Sequence, residues 1–121
     1  MEERRQFVRL DTRLPITYRV VTSAPPVQAI TKGIGGGGIC VFLSEPVRPG
    51  TRLHVTVKLP DQERPLTFTG EVVWCEQYEV IGKTQRNRSV EAGLKFVQIE
   101  PPDQQRIMQH VILSLQPHSS V

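Results

Sequence analysis

Apolar residues recur at every second position along most of this chain. Leu14, Ile16, Tyr18 and Val20 fall on one face, with Thr17, Arg19 and Val21 on the other. That is the period of a strand with one face buried. Ser23-Ala24-Pro25-Pro26 breaks the run, and Val27 to Thr31 resumes it. After a glycine cluster, Ile39, Val41 and Leu43 alternate with Cys40 and Phe42, which predicts a strand with two largely buried faces. Glu45 to Gly50 holds two prolines and a glycine and reads as a turn. Leu53, Val55, Val57 and Leu59 then alternate with His54, Thr56 and Lys58, and Pro60 to Pro65 turns the chain again. Leu66, Phe68, Gly70, Val72 and Trp74 share one face of a long strand, in which Gly70 marks a bulge or bend. Tyr78 to Arg88 is polar and reads as a mobile connection, and Val90, Ala92, Leu94 and Phe96 form the last strand.

Only the end of the chain changes period. Pro101 and Pro102 suit a first helical turn, where Asp103 adds favourable charge. Ile107, Met108, Val111, Ile112 and Leu115 mark one helical face, and Pro117 with the serine-rich tail stops it. The expected fold is mostly β, a small antiparallel barrel of about six strands with one C-terminal amphipathic helix over about residues 101–115. The barrel and helix fill residues 14–121, preceded by an arginine-bearing segment over residues 1–13.

Composition supports one core. A chain of 121 residues suits a single domain, and ten prolines with nine glycines exclude a coiled coil. Charged residues at 22% and ordinary apolar content exclude a disordered chain. The net charge of +3 is below what a dedicated duplex-binding protein carries. The charge is local, however: Arg4, Arg5, Arg9, Arg13 and Arg19 face only Asp11 within residues 4–19. Of the 15 basic residues 11 are arginine, whose planar fork suits phosphates and base edges. An anionic partner at the N-terminal end is the consequence. Cys40 and Cys75 lie in apolar runs and read as reduced core thiols of a cytoplasmic protein. The opening residues Met1 to Gln6 carry no apolar signal segment, and the uncharged stretch Gly33 to Ser44 is too short to span a bilayer.

Catalysis finds no support in the pattern. His54, His110 and His118 stand apart from cysteines and carboxylates at ligand or triad spacing, so neither an enzyme nor a metal site is expected. Gly33-Ile34-Gly35-Gly36-Gly37-Gly38 matches GxGxxG formally. A dinucleotide fold needs a helix after that motif, and here Ile39 to Leu43 reads as a strand. A glycine run can still let a ligand approach the backbone and offer it N–H groups.

Arg4-Arg5-Gln6-Phe7-Val8-Arg9 resembles the RxxxR motif of the PilZ domain family, with Arg5 and Arg9 as its arginines. Gly38 falls on the last position of that family's second motif, [D/N]xSxxG, and an apolar run follows it. A Val-Val-Trp strand, a Gly-Leu-Lys-Phe strand and a Pro-started helix extend the resemblance over residues 3–115. The resemblance implies a six-stranded barrel and a non-enzymatic receptor for cyclic di-GMP, without a cofactor, acting on an unidentified protein partner rather than on DNA or within a membrane. It assigns ligand binding to Arg4, Arg5, Arg9, Gly33, Gly35 and Gly38. An arginine fork can take guanine O6 and N7 together, or grip a phosphate. One departure stands out: Gly33 and Gly35 occupy the motif's Asp/Asn and Ser positions. Two lost side-chain bonds, at about 1 kcal/mol for a neutral one and about 1.5–3 for a charged one, weaken binding roughly 50- to 1000-fold if nothing compensates. Restoring Asp at position 33 is then expected to strengthen it.

Two other readings follow from the same residues. A PilZ-like domain that has lost nucleotide binding would act through protein contacts in pilus or motility regulation. A barrel for single-stranded nucleic acid would need exposed aromatic platforms, whereas the phase of Phe68 and Trp74 with Leu66 and Val72 places both in the core.

Overall fold

The structure, a computed structural model, describes residues 9–20, 24–60, 62–82 and 86–115. Arg4 and Arg5 therefore lie outside the described residues. Seven strands and one helix follow in order: β1 (Arg9–Asp11), β2 (Pro15–Val20), β3 (Val27–Gly35), β4 (Gly38–Leu43), β5 (Arg52–Val57), β6 (Leu66–Ile81), β7 (Arg86–Gln98) and α1 (Pro101–Leu115). All pairings are antiparallel. Strands β3, β2, β5, β6, β7 and β4 close on themselves through the β3–β4 pairing, and β1 adds to the end of β3. Closure removes the exposed strand edges that an open sheet of this size would present.

Period two decides which side chains fill the barrel. Leu14, Ile16 and Tyr18, then Ile39, Val41 and Leu43, then Leu53, Val55 and Val57 are all buried. Phe68 and Phe96 meet edge to face inside, with ring centroids 4.6 Å apart. The register of β6 against β7 shifts between Thr69 and Gly70, where the extra residue is Val97 on β7 opposite the glycine, and shifts again between Val72 and Trp74. The second shift corrects the sequence reading. Val73 is an extra residue that reverses the alternation, so Trp74 turns outward and is 37% exposed instead of joining Phe68 in the core.

A second correction concerns Tyr78 to Arg88. There β6 and β7 continue as a paired ladder out to Ile81 and Arg86. Main-chain pairing continues through this arm, where Tyr78 and Ile81 are exposed, so neither face shows a buried apolar alternation. The polar thiols Cys40 and Cys75 are half-buried and unbridged, less enclosed than core residues.

Helix α1 starts where Glu100 O accepts from the N–H groups of Asp103 and Gln104, with both prolines in the first turn. It packs on β3 and β1. Ile107 and Val111 are its buried residues, while Ile112, Leu113 and Leu115 remain exposed. The apolar stripe is thus narrower than the sequence suggests, because one short helix laid across a curved sheet touches it along one line. Polar contacts hold its two sides: Gln104 Nε2 donates to Gly36 O at 2.6 Å, and Arg106 Nε donates to Gln62 Oε1 at 2.7 Å.

This packing fixes the cost of truncation. Ile107→Ala should lower stability by about 2–5 kcal/mol in chemical unfolding, whereas Leu113→Ala should stay within about 0.5 kcal/mol.

Candidate functional site

The glycine run forms the hairpin between β3 and β4. Ile34 pairs with Ile39, and Gly36 and Gly37 make the connection. Among the described residues the one glycine with left-handed φ is Gly50, at 93°, so backbone conformation does not account for Gly33 or Gly38. At Gly38 a Cβ would stand 2.0 Å from Leu94 O on β7. Only glycine allows the strands to approach there. The hairpin is tied down by its carbonyls, since Gly37 O accepts from Phe96 N–H at 3.1 Å.

Strand β1 lies across the end of this hairpin. Arg9, Leu10 and Asp11 pair with Gly35, Ile34 and Gly33. What holds it there is Thr31, fully buried where β3 bulges between Thr31 and Gly33. Its hydroxyl donates to Thr12 O at 2.6 Å and accepts from Leu14 N–H at 2.8 Å. Thr31 N–H donates to Leu14 O at 2.9 Å, and Thr12 N–H to Lys32 O at 3.1 Å. The corner between β1 and β2 is thereby fixed at four points.

Register then sets one row across the outside of the sheet: Asp11 opposite Gly33, Gly33 opposite Cys40, Cys40 opposite Gly93, and Gly93 opposite Trp74. Small residues in the middle and large ones at the ends make a trough. A Cβ at Gly93 would stand 2.2 Å from Trp74 Nε1, so the indole lies directly over that glycine. The resulting cleft, about 230 Å³, is lined by Arg9, Asp11, Lys32, Gly33, Ile34, Gly38, Ile39, Cys40 and Trp74. Of the residues singled out in the sequence, Arg9, Gly33 and Gly38 meet here. Gly35 is buried opposite Arg9 and does not line the cleft. Asp11, Lys32 and Trp74 were not singled out as binding residues; for Trp74 the bulge at Val73 hid the signal.

The charges around the cleft are ordered. Lys32 Nζ meets Glu91 Oε1 at 2.8 Å, with the Glu91 side chain only 9% exposed. The ammonium holds the Glu91 carboxyl below its ordinary range, helped by Tyr78 and opposed by burial, and Lys32 is raised in turn. Arg13 lies over the Phe42 ring at 5.2 Å and donates to Lys32 O. Burial pushes the Cys40 thiol up, which keeps it protonated and a poor nucleophile. Arg9 is exposed. The volume lies below the roughly 300–1,000 Å³ of pockets that enclose a drug-sized molecule. Wider concavities of about 590, 660 and 540 Å³ line other parts of the surface, the second sharing Asp11 with the cleft. The first carries Lys58 as its one charged residue, on the outside of β2, β3 and β5. Among the described residues no three potential metal ligands cluster, and no helix is long and apolar enough to cross a membrane.

The chain is thus a closed antiparallel barrel with a helix packed on it and an arginine-bearing strand paired to its hairpin. The PilZ domain model matches residues 3–113, and the chain belongs to that family. Solved structures agree on the fold. The inhibitor of motility MotI/DgrA of Bacillus subtilis superposes with a TM-score of 0.73 at 24% identity, over 96% of this chain and 55% of that one. The chain thus spans about half the length of that relative. The PilZ domain of YcgR from Escherichia coli, solved with c-di-GMP, gives a TM-score of 0.72 at 16% identity, covering 93% of this chain and 92% of that one. MrkH of K. pneumonia in its apo state gives 0.72 at 16% identity, over 95% of this chain and 53% of that one. No curated protein sequence is significantly similar to the chain.

Two outcomes follow from the site. Thr31→Val keeps the shape but strands the Leu14 N–H and the Thr12 carbonyl, and should cost about 1–3 kcal/mol, with faster amide exchange across residues 9–14. For Glu91 the folded pKa is depressed, so its stabilisation is present above the ordinary carboxyl value of 4.5 and disappears as pH falls through the lower folded value. Melting temperature measured from pH 7 to pH 3 should therefore fall less steeply in Glu91→Gln than in the parent, from a lower starting point.

Proposed function

We propose that this domain is a non-enzymatic receptor for cyclic di-GMP. The observation that carries the reading is the pairing of β1 with the glycine hairpin, which sets the Arg9 guanidinium beside the Gly33 and Gly38 backbone at one cleft. Arg4 and Arg5 lie a few residues upstream in the chain. The ligand's two phosphates suit arginine by charge-assisted bonds, and its guanines offer O6 and N7 to an arginine fork. Trp74 supplies an aromatic face at the opposite wall. In this reading Arg4 and Arg5 supply further contacts to the part of the dinucleotide outside the cleft, so that ligand binding and the arginine segment are coupled. Signalling then runs to a protein partner in the cytoplasm, with neither DNA nor membrane insertion involved.

Titration calorimetry decides this. Cyclic di-GMP added to about 100 μM protein should release heat, and Arg5→Ala/Arg9→Ala should weaken binding at least about 100-fold, two charged contacts being lost. Fluorescence of Trp74, the sole tryptophan, should change along the same isotherm. No heat and no fluorescence change with the intact chain would leave the nucleotide-independent, protein-binding reading in its place.

A further inference from the structure

The missing motif carboxylate at Gly33 has a substitute on the neighbouring strand. Asp11 stands directly opposite Gly33. A Cβ built on Gly33 would lie 3.6 Å from Asp11 Oδ1, an ordinary van der Waals contact, and 3.3 Å from Leu10 O. The Asp11 carboxylate therefore occupies the space beside the glycine that a side chain from β3 would enter. Asp11 lies at the rim of the cleft, shared with the concavity between β1 and α1. Arg9 and Asp11 are two apart on one strand, both exposed, and point to the same side. A guanidinium and a carboxylate are thus presented to the cleft together.

We infer that Asp11 is the guanine-specifying residue of this site, its carboxylate accepting from N1–H and N2–H₂ in place of a side chain at position 33. This deepens, and rests on, the cyclic di-GMP reading. Guanine offers two adjacent donors on that edge. Adenine presents an unprotonated N1 there, whose lone pair opposes a carboxylate. Selectivity between the two bases follows from a single anionic acceptor. The same geometry changes the expectation for position 33. In the intact chain, Gly33→Asp would bring a second carboxylate against Asp11, and like charges in contact oppose one another. Its Cβ would also crowd Leu10 O, so the substitution alone gives no gain in affinity.

The test is calorimetry with cyclic di-GMP and cyclic di-AMP on the parent, Asp11→Ala, Gly33→Asp and Asp11→Ala/Gly33→Asp, each checked for an unchanged melting transition. The parent should prefer the guanine nucleotide. Asp11→Ala should lose about 10-fold or more toward cyclic di-GMP, with no loss toward cyclic di-AMP. Gly33→Asp alone should gain nothing, and the double variant should recover at least about 5-fold over Asp11→Ala. An Asp11→Ala protein within twofold of the parent, or one weakened equally toward both nucleotides, would overturn the assignment. A parent that binds neither nucleotide overturns the receptor reading itself, a result separable from the first two.

Discussion

The buried hydroxyl of Thr31 fixes the relation between the barrel and everything the barrel presents. A closed sheet has no free edge to which a further strand must pair. The first described residues are nevertheless held over the β3–β4 hairpin, because Thr31 takes one hydrogen bond from Leu14 N–H and gives another to Thr12 O. Both backbone groups sit at the corner where the chain leaves β1 for β2. A buried carbonyl or N–H without a partner is costly, so this corner has one place to lie. Once it is placed, Arg9 and Asp11 must face Gly35 and Gly33.

The cleft that results is built from absence as much as from side chains. Gly33 and Cys40 lie along its floor because successive strands put their small residues in register, Asp11 stands at one end, and at the other Trp74 covers Gly93. Gly38 and Gly93 admit no Cβ at all, the first because of Leu94 O and the second because of the indole. Their small size thus serves packing first and access second. The Lys32–Glu91 pair occupies one border of this floor. It leaves Arg9 as the exposed guanidinium at the cleft.

Some of this was legible from residue order. Alternation at Leu14 to Val20, Leu53 to Leu59 and Val90 to Phe96 located strands, and the change of period after Pro101 located the helix. Arg9, Gly33 and Gly38 were marked by motif resemblance and do meet. Other features were not. The pairing of Tyr78–Ile81 with Arg86–Ser89 runs through main-chain bonds that leave no apolar signature. Ile112 and Leu115 continue the helical stripe in sequence, yet the contact line of α1 ends short of them.

The division has a physical basis. Periodicity is a local property: it reports which side of its own strand or helix a residue occupies, and so the sequence alone determined the barrel class, the helix and the arginine-bearing start. Register is not local. It is decided by where one strand meets another, and a single extra residue such as Val73 exchanges inside for outside from that point onward. Only the tertiary structure could therefore bring Trp74 to the cleft, lay the indole over Gly93, and set Asp11 against a glycine twenty-two positions away.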